Sequence, residues 1–112
     1  MKLVTAIIRH IKFEEVHTVL TNMGLYSCTV TEVRGSGQQK GHTEIYREAE
    51  FRIEFSPKVK IEIAVNNEIM PEVVEAIRNS AYTGKVGDGL IYVYDLEETC
   101  RIRTGERGPE AL

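Results

Sequence analysis

The fold is decided by the stretch Pro57-Lys58-Val59-Lys60-Ile61-Glu62-Ile63-Ala64-Val65. Branched apolar residues alternate there with polar or small ones, which is the period of a β-strand that is buried on one face. One side of this strand carries Val59, Ile61, Ile63 and Val65, and the other carries Lys58, Lys60, Glu62 and Ala64. The second set is mixed, so that face of the sheet is either solvated or part of a subunit interface.

The other elements follow from the same two periodicities. Apolar or alternating runs predict further strands over residues 2–8, 26–34 and 90–94. Helical spacing predicts one helix from Phe13 to a terminating Gly24, and a second from Ile69 to Ala81 with Pro71 in its first turn. The order βαββαβ, in two similar halves, predicts an α+β ferredoxin-like sandwich with both helices on one face of the sheet.

Composition restricts the class of protein. A chain of 112 residues predicts one domain spanning 1–112, and a net charge of −3 disfavours a general nucleic-acid binder. No apolar run approaches the length of a membrane span, and the N-terminus is too short in its apolar part for a signal peptide. Cys28 and Cys100 lack CxxC spacing, which favours reduced thiols in the cytoplasm.

The connection between the second and third strands is too long for a hairpin loop. About twenty residues intervene between Gly35 and Phe55, and many of them are charged, whereas hairpin loops need about two to five. We therefore predict an arm over residues 36–55 that folds onto a partner; the alternative is a plain surface excursion.

Two glycine-rich stretches flank predicted strands. They are Gly35-Ser36-Gly37-Gln38-Gln39-Lys40-Gly41 and Gly84-Lys85-Val86-Gly87-Asp88-Gly89. Glycine allows backbone amides to approach an anion closely, and a group of such amides binds phosphate. Arg101 and Arg103 alternate near the C-terminus, so we expect both on one face of an extended strand, where they would supply countercharge. The pattern predicts a nucleotide-binding regulatory domain.

Five segments carry a resemblance to a known family. They are residues 29–35, 39–47, 57–63, 83–89 and 101–106. Together they resemble the nitrogen regulatory PII signal-transduction family over essentially the whole chain. The resemblance implies a homotrimer in which ATP or ADP binds in clefts between subunits, and in which 2-oxoglutarate joins ATP and Mg²⁺. It also implies that residues 36–55 are a T-loop that docks on ammonium transporters or nitrogen-assimilation enzymes. Membrane contact would arise only through a transporter.

The resemblance also implies residue roles. The nucleotide-binding turn would span residues 82–90, with phosphate contacts at Val86, Gly87, Asp88 and Gly89, and the C-terminal segment would span 96–112 with Arg101 and Arg103. Gln39 would bind Mg²⁺. Lys58 would pair with a 2-oxoglutarate carboxylate, and the backbone around Lys40 and Gly41 would bind the rest of that acid. The adenine and ribose would contact Thr29, Gly35, Gly37, Glu62 and Ala64, and the partner would contact Tyr46 and Arg47.

Six positions depart from the family pattern, among them Ser36, where an aromatic residue is common, and His10, which replaces a common proline. Leu90 and Gln38 stand where a lysine and an arginine are usual, which leaves open the preference among ATP, ADP and AMP. Phe51 stands where many relatives carry a nucleotidylated tyrosine, and Ala49 where some carry a phosphorylated serine. Without those hydroxyls, signalling would rest on ligand state alone.

Two other functions are compatible with this pattern. One is a divergent PII-like sensor of another adenine nucleotide or carbon signal. The other is an acylphosphatase-like enzyme, since one fold hosts many activities. The Walker pattern is absent and the histidines lack metal-ligand spacing, so we expect neither a P-loop ATPase nor a structural metal. We expect a binding protein rather than an enzyme.

Overall fold

The computed structural model describes residues 1–40 and 51–112, with side chains for residues 1–36 and 55–112. The elements are β1 (Lys2–Arg9), α1 (Phe13–Asn22), β2 (Thr29–Lys40), β3 (Phe51–Val65), α2 (Met70–Ala81) and β4 (Gly89–Asp95). Short 3₁₀ turns occupy His10–Lys12 and Gly108–Ala111. The four strands form one sheet in the order β2-β3-β1-β4, and each neighbouring pair is antiparallel. This α+β layout is compatible with the ferredoxin-like βαββαβ plan.

The core lies between the sheet and both helices, as the alternation in β3 predicted. Val59, Ile61, Ile63 and Val65 are buried against Val16 and Leu20 of α1 and Val73 and Ile77 of α2. β1 adds Val4, Ala6 and Ile8 from the centre of the sheet. Full burial of each large aliphatic side chain contributes about 1.5–3 kcal/mol, so this face dominates the stability of the fold.

We call the opposite side of the sheet the open face, because neither helix covers it. Lys58, Lys60, Glu62 and Ala64 of β3 lie there, as predicted. Thr5 also lies on this side, between its cross-strand partners Glu62 and Tyr92. Only 2% of Thr5 is exposed, and its hydroxyl has no hydrogen-bond partner among the described residues.

The predicted helix ends are confirmed. Gly24 has a φ of 82°, its amide donates to the Thr21 carbonyl at 2.9 Å, and the Leu25 amide donates to the Leu20 carbonyl at 3.0 Å. These two bonds are the Schellman motif, which satisfies carbonyls that a helix end leaves free. Pro71 lies in the first turn of α2, where a proline costs no helical hydrogen bond.

Strands β2 and β3 are longer than predicted. Their pairing continues from Thr29↔Glu62 to Lys40↔Phe51, so residues 36–40 and 51–55 are strand rather than part of a loop. The alternation rule missed the β2 part because Ser, Gly, Gln and Lys fill residues 36–40, and cross-strand hydrogen bonds need no apolar side chain. In the β3 part, residues 51–55 (Phe-Arg-Ile-Glu-Phe) do alternate, and the prediction of an arm overlooked this signal. Only residues 41–50 of the predicted arm lie outside the described residues.

The expectation that Arg101 and Arg103 share a strand is wrong. The two arginines lie on a tight turn, which is closed by a bridge between Cys100 and Arg107. The Gly105 amide donates to the Arg101 carbonyl at 2.7 Å, and the Arg101 amide donates to the Glu106 carbonyl at 2.8 Å. Gly105 has a φ of 75°, which turns the chain back and ends the extended geometry that alternation requires.

No helix in residues 1–40 or 51–112 is long and apolar enough to cross a membrane.

We predict that Gly89→Ala destabilises the protein more than Gly24→Ala does. Gly89 has a φ of 108°, and a Cβ atom there would overlap the Ile7 carbonyl oxygen, whereas a Cβ atom on Gly24 (φ 82°) meets nothing within 4 Å. Gly24→Ala should therefore cost only the left-handed backbone strain, about 1–2 kcal/mol. Urea unfolding of both variants at one protein concentration measures the difference. Equal losses would contradict the steric argument.

Candidate functional site

The turn between α2 and β4 is organised around one carboxylate. The Asp88 side chain accepts hydrogen bonds from the amides of Thr83 and Gly84, each at 2.9 Å, and from the Thr83 hydroxyl. It also accepts a bond from Arg9 Nε at 3.0 Å. We call residues 83–88 the phosphate turn, after the phosphate contacts that the sequence predicts for Val86, Gly87 and Asp88.

The carbonyl groups of the phosphate turn are bound by cations of the open face. Arg9 Nη2 donates to the Val86 carbonyl at 2.8 Å and reaches the Lys85 carbonyl at 3.5 Å. Lys58 Nζ donates to the Gly87 carbonyl. Three successive peptide groups therefore direct their oxygens at basic side chains, and a carbonyl that points one way leaves the amide of its peptide pointing the other.

The amides of the turn are left available as donors. Those of Val86, Gly87 and Asp88 donate to no atom within the part of the chain that the structure describes. Gly84 and Gly87 have φ angles of 85° and 104°, which place left-handed residues within the turn. Consecutive amides in such a conformation form a concave site for an anion such as phosphate. The residue types predicted from the sequence here therefore fit a phosphate group.

Electrostatics around the turn also favour an anion. The hydrogen bonds to the Asp88 carboxylate, with those from Thr83 the strongest, hold its pKa well below the ordinary value of 3.8. Burial and the nearby Arg9 charge lower the pKa of Lys58 from its ordinary value of 10.5, against an opposing effect of Asp88. An anion bound beside Lys58 would offset the repulsion from Arg9 and stabilise the charged form of the lysine.

Gly35 brings β2 against the Lys58 side chain. A Cβ atom at Gly35 would lie 3.1 Å from Lys58 Cγ, so a larger residue there would displace the lysine by a few tenths of an ångström from its position against the strand. On β2 beyond Gly35, backbone pairing places Gly37 opposite Glu54, Gln38 opposite Ile53, Gln39 opposite Arg52 and Lys40 opposite Phe51. The side chains of Gln38, Gln39 and Lys40, and all of Gly41, Tyr46 and Arg47, lie outside the described residues.

A second cluster of the predicted residues lies at the other end of β3. Thr29 and Glu62 are cross-strand partners, and Ala64 is the next residue of β3 on the same face. Ala64 and Arg101 line one cavity of about 370 Å³, together with the loop that follows α1. Arg101 therefore lies near Thr29, Glu62 and Ala64, which are three of the residues predicted to contact adenine and ribose. We call these four residues the arginine cluster.

The two arginines of the C-terminal turn differ in their environments. Arg101 Nη1 donates to Glu106 Oε1 at 2.6 Å, and Nη2 lies 3.3 Å from the Glu110 carbonyl. These bonds fix the orientation of the Arg101 guanidinium. Its Nε hydrogen and its second Nη1 hydrogen form no hydrogen bond with the described residues. Arg103 is exposed and forms no ion pair with any residue in the described ranges.

The phosphate turn and the arginine cluster do not meet in one chain. Lys58 contacts the turn, and Ala64 belongs to the cluster. Ala64 lies six positions after Lys58 on β3, which is about 20 Å at ~3.3 Å per residue. The structure thus brings together Gly35, Lys58 and residues 86–89 at one end, and Thr29, Glu62, Ala64 and Arg101 at the other. A single phosphate group cannot contact both sets within one subunit.

Sequence reasoning missed Arg9, Thr83 and Glu106. Thr83 precedes Asp88 by five residues, a spacing that a search for side chains capping a turn would have found. Arg9 and Asp88 are 79 positions apart, so only the register of β1 with β4 brings them together. The residues that the structure describes contain no group of three or more His, Cys, Asp or Glu side chains that could hold a metal.

Comparisons with known proteins agree across the chain. A family model described as "Nitrogen regulatory protein P-II" matches residues 1–106. A "Nitrogen regulatory protein P-II" of Rhizobium etli is 55% identical over 112 residues, which is 100% of both chains. The protein of that name from Pasteurella multocida is 52% identical, and "Nitrogen regulatory protein GlnK" of Escherichia coli is 50% identical, again with full coverage of both chains.

We predict that Asp88→Asn loosens the phosphate turn and removes its sensitivity to acid. Because the folded pKa of Asp88 lies below its ordinary value, the turn is stabilised above about pH 4 and loses that stabilisation as pH falls through the lowered pKa. Hydrogen exchange of the Thr83 and Gly84 amides should therefore accelerate in the variant.

The matched control is Asp95→Asn. Its carboxylate also has a lowered pKa, here because of Lys2 at the other end of the sheet. Unchanged exchange of the Thr83 and Gly84 amides in Asp88→Asn, or equal acceleration in Asp95→Asn, would contradict this assignment.

Proposed function

The chain belongs to the nitrogen regulatory protein P-II family, and we propose that it senses nitrogen and carbon status by binding ATP or ADP together with 2-oxoglutarate. Its role is regulatory: the relatives described above are named as regulatory proteins. The proposed output is a change in the arm that follows β2, which acts on a partner protein.

The observation that carries the proposal is the phosphate turn. Three amides face outward while their carbonyl groups are held by Arg9 and Lys58. Amide donors that are already oriented cost no reorganisation when a charged oxygen binds them, and hydrogen bonds to charged groups contribute about 1.5–3 kcal/mol each. We propose that Val86, which is fully exposed beside these amides, packs on the adenine ring.

We further propose that nucleotides bind between subunits of a homotrimer. Phosphate contacts from both the turn and Arg101 require two copies of the chain, because the two sets lie at opposite ends of β3. The open face supports assembly, since Leu90 and Tyr94 are exposed on it and the buried Thr5 hydroxyl lacks a partner among the described residues. Buried hydroxyl groups nearly always have a partner, and a second subunit would supply one.

Lys58 is the proposed contact for a 2-oxoglutarate carboxylate. In the ligand-free chain its ammonium donates to the Gly87 carbonyl, a neutral acceptor that a carboxylate would replace with a stronger, charge-assisted bond. Gln39 is proposed to bind Mg²⁺ through its side-chain oxygen, a ligand that suits this hard cation. Lys40 and Gly41 would bind the remainder of the acid through their backbone.

The arm is the proposed contact with partners. Tyr46 and Arg47 lie in the connection between β2 and β3, and we propose that they contact an ammonium transporter or a nitrogen-assimilation enzyme. Phe51 has no hydroxyl to accept a nucleotidyl group and Ala49 none to accept phosphate, so ligand state would carry the signal by itself.

Leu90 adds no charge to the phosphate site, which favours a site that accepts ADP as well as ATP.

We predict that two defective variants complement one another. Gly87→Ala should distort the phosphate turn, because the residue has a φ of 104° and an added Cβ would lie 3.2 Å from Arg9 Nη2. Arg101→Ala should remove the cation from the neighbouring subunit, so each variant alone should lose about tenfold or more in ATP affinity.

Mixed assemblies, refolded from both variants, should regain sites of wild-type affinity in calorimetric titration. These sites would combine an intact turn from one chain with an intact arginine from its neighbour. The control is a mixture of Arg101→Ala with the Gly87→Ala, Arg101→Ala double variant, in which no intact pair exists. Failure of the first mixture to exceed the control would overturn the boundary site.

We also predict that 2-oxoglutarate binds only when Mg²⁺ and ATP are present, and that Lys58→Met abolishes this binding. Lys2→Met is the matched control, because Lys2 lies at the opposite end of β1 and forms an ion pair with Asp95 there. Calorimetry with and without Mg²⁺ and ATP measures both effects. Tight binding to the nucleotide-free protein would count against the proposed order.

A further inference from the structure

We propose that Arg9 is the positioning residue of the phosphate turn, holding its carbonyl groups toward the sheet so that its amides face the ligand. This inference rests on the proposed function, because it assigns the means by which that site is kept ready for phosphate. Arg9 was not among the residues predicted from the sequence. It occupies the last position of β1, a central strand of the sheet.

The argument begins with the direction of the Arg9 hydrogen bonds. Nε donates to Asp88 Oδ1 at 3.0 Å, while Nη2 donates to the Val86 carbonyl at 2.8 Å. One planar guanidinium thus holds the turn at two points, a side chain and a backbone oxygen. Arginine presents its donors in a fixed fork, whereas the single ammonium of a lysine has no such geometry.

These contacts determine which way the peptide groups face. The carbonyl group of Val86 belongs to the same planar unit as the amide of Gly87, so a bond to the oxygen fixes the direction of the N–H. The Lys85 carbonyl, 3.5 Å from Nη2, is related to the Val86 amide in the same way. Arg9 therefore orients two of the three available donors without contacting the ligand itself.

Lys58 cannot replace Arg9 in this role. The two residues are cross-strand partners and both reach the turn, but Lys58 holds only the Gly87 carbonyl. If Lys58 transfers to an effector carboxylate, as proposed above, that contact is lost. Arg9 then becomes the group that keeps the turn in place while both ligands are bound.

Arg9 is held in place because it lies on a strand that is paired on both sides. β1 pairs with β3 on one side and β4 on the other, and Ile8 beside Arg9 is 1% exposed. The turn is therefore attached to one of the two central strands of the sheet. Asp88 completes the connection, because its carboxylate receives Arg9 on one oxygen and the amides of Thr83 and Gly84 on the other.

The test compares Arg9→Lys and Arg9→Gln with a matched control, Arg34→Lys. Arg34 lies on β2 opposite Pro57 and forms no hydrogen bond to the turn. Calorimetry would measure the affinity of each full-length variant for adenosine, AMP, ADP and ATP. Amide and carbonyl NMR shifts of residues 83–89 would be recorded without ligand.

We expect Arg9→Lys to bind ATP and ADP about tenfold more weakly, nearly as poorly as Arg9→Gln, because the fork is lost although the charge is kept. Adenosine affinity should stay at the wild-type level in all variants, since no phosphate is involved. The ligand-free spectra of both Arg9 variants should show shifts at Gly87 and at the Val86 carbonyl. Arg34→Lys should match the wild type.

Three results would overturn the inference. Wild-type ATP affinity in Arg9→Lys would mean that only the charge matters, as for a direct phosphate contact. Equal weakening for adenosine and ATP would indicate general loss of structure. Unchanged spectra of the ligand-free turn would show that Arg9 does not orient it. If the wild type binds no adenine nucleotide, the proposed function fails, and the ligand-free spectra still decide whether Arg9 orients the turn.

Discussion

The register between β1 and β3 is the constraint on which the rest of the structure depends. Pairing from Lys2↔Val65 to Arg9↔Lys58 places Val59, Ile61, Ile63 and Val65 against the helices, and it places Lys58, Lys60, Glu62 and Ala64 on the open face. A slip of one residue would exchange the two faces, bury the lysines and expose the core. The same register places Arg9 and Lys58 side by side, and this pairing of like charges is tolerated because both cations bind carbonyl groups of the phosphate turn.

Features with a local cause were predictable from the sequence. The alternation in β3 reflects the two faces of one strand, and the helix ends at Gly24 and Pro71 reflect backbone angles that those residues alone favour. The glycine-rich segment before β4 was recognised for the same reason, since Gly87 and Gly89 adopt left-handed angles there. Local chemistry was therefore sufficient for the order of the elements and for the position of the turn.

Features with a distant cause were not predictable in this way. The continuation of β2 to Lys40 depends on cross-strand hydrogen bonds, which leave no periodic trace in a run of glycine and glutamine. Arg101 alternates with Arg103 as strand residues do, yet Glu106 and Gly105 close the chain into a turn around it. Arg9 carries no motif at all, and its contact with Asp88 exists only because two strands meet in the folded chain.

The phosphate turn also indicates which positions of this segment tolerate substitution. Its backbone makes the contacts that hold it, while the Val86 side chain is fully exposed and contributes nothing to the core. At Gly89, by contrast, the Ile7 carbonyl leaves no space for a side chain. Position 86 is therefore open to substitution without cost to folding, whereas position 89 admits no other residue. Two positions three residues apart are thus restricted by different things: position 86 only by the proposed ligand, and position 89 by the Ile7 carbonyl of the neighbouring strand.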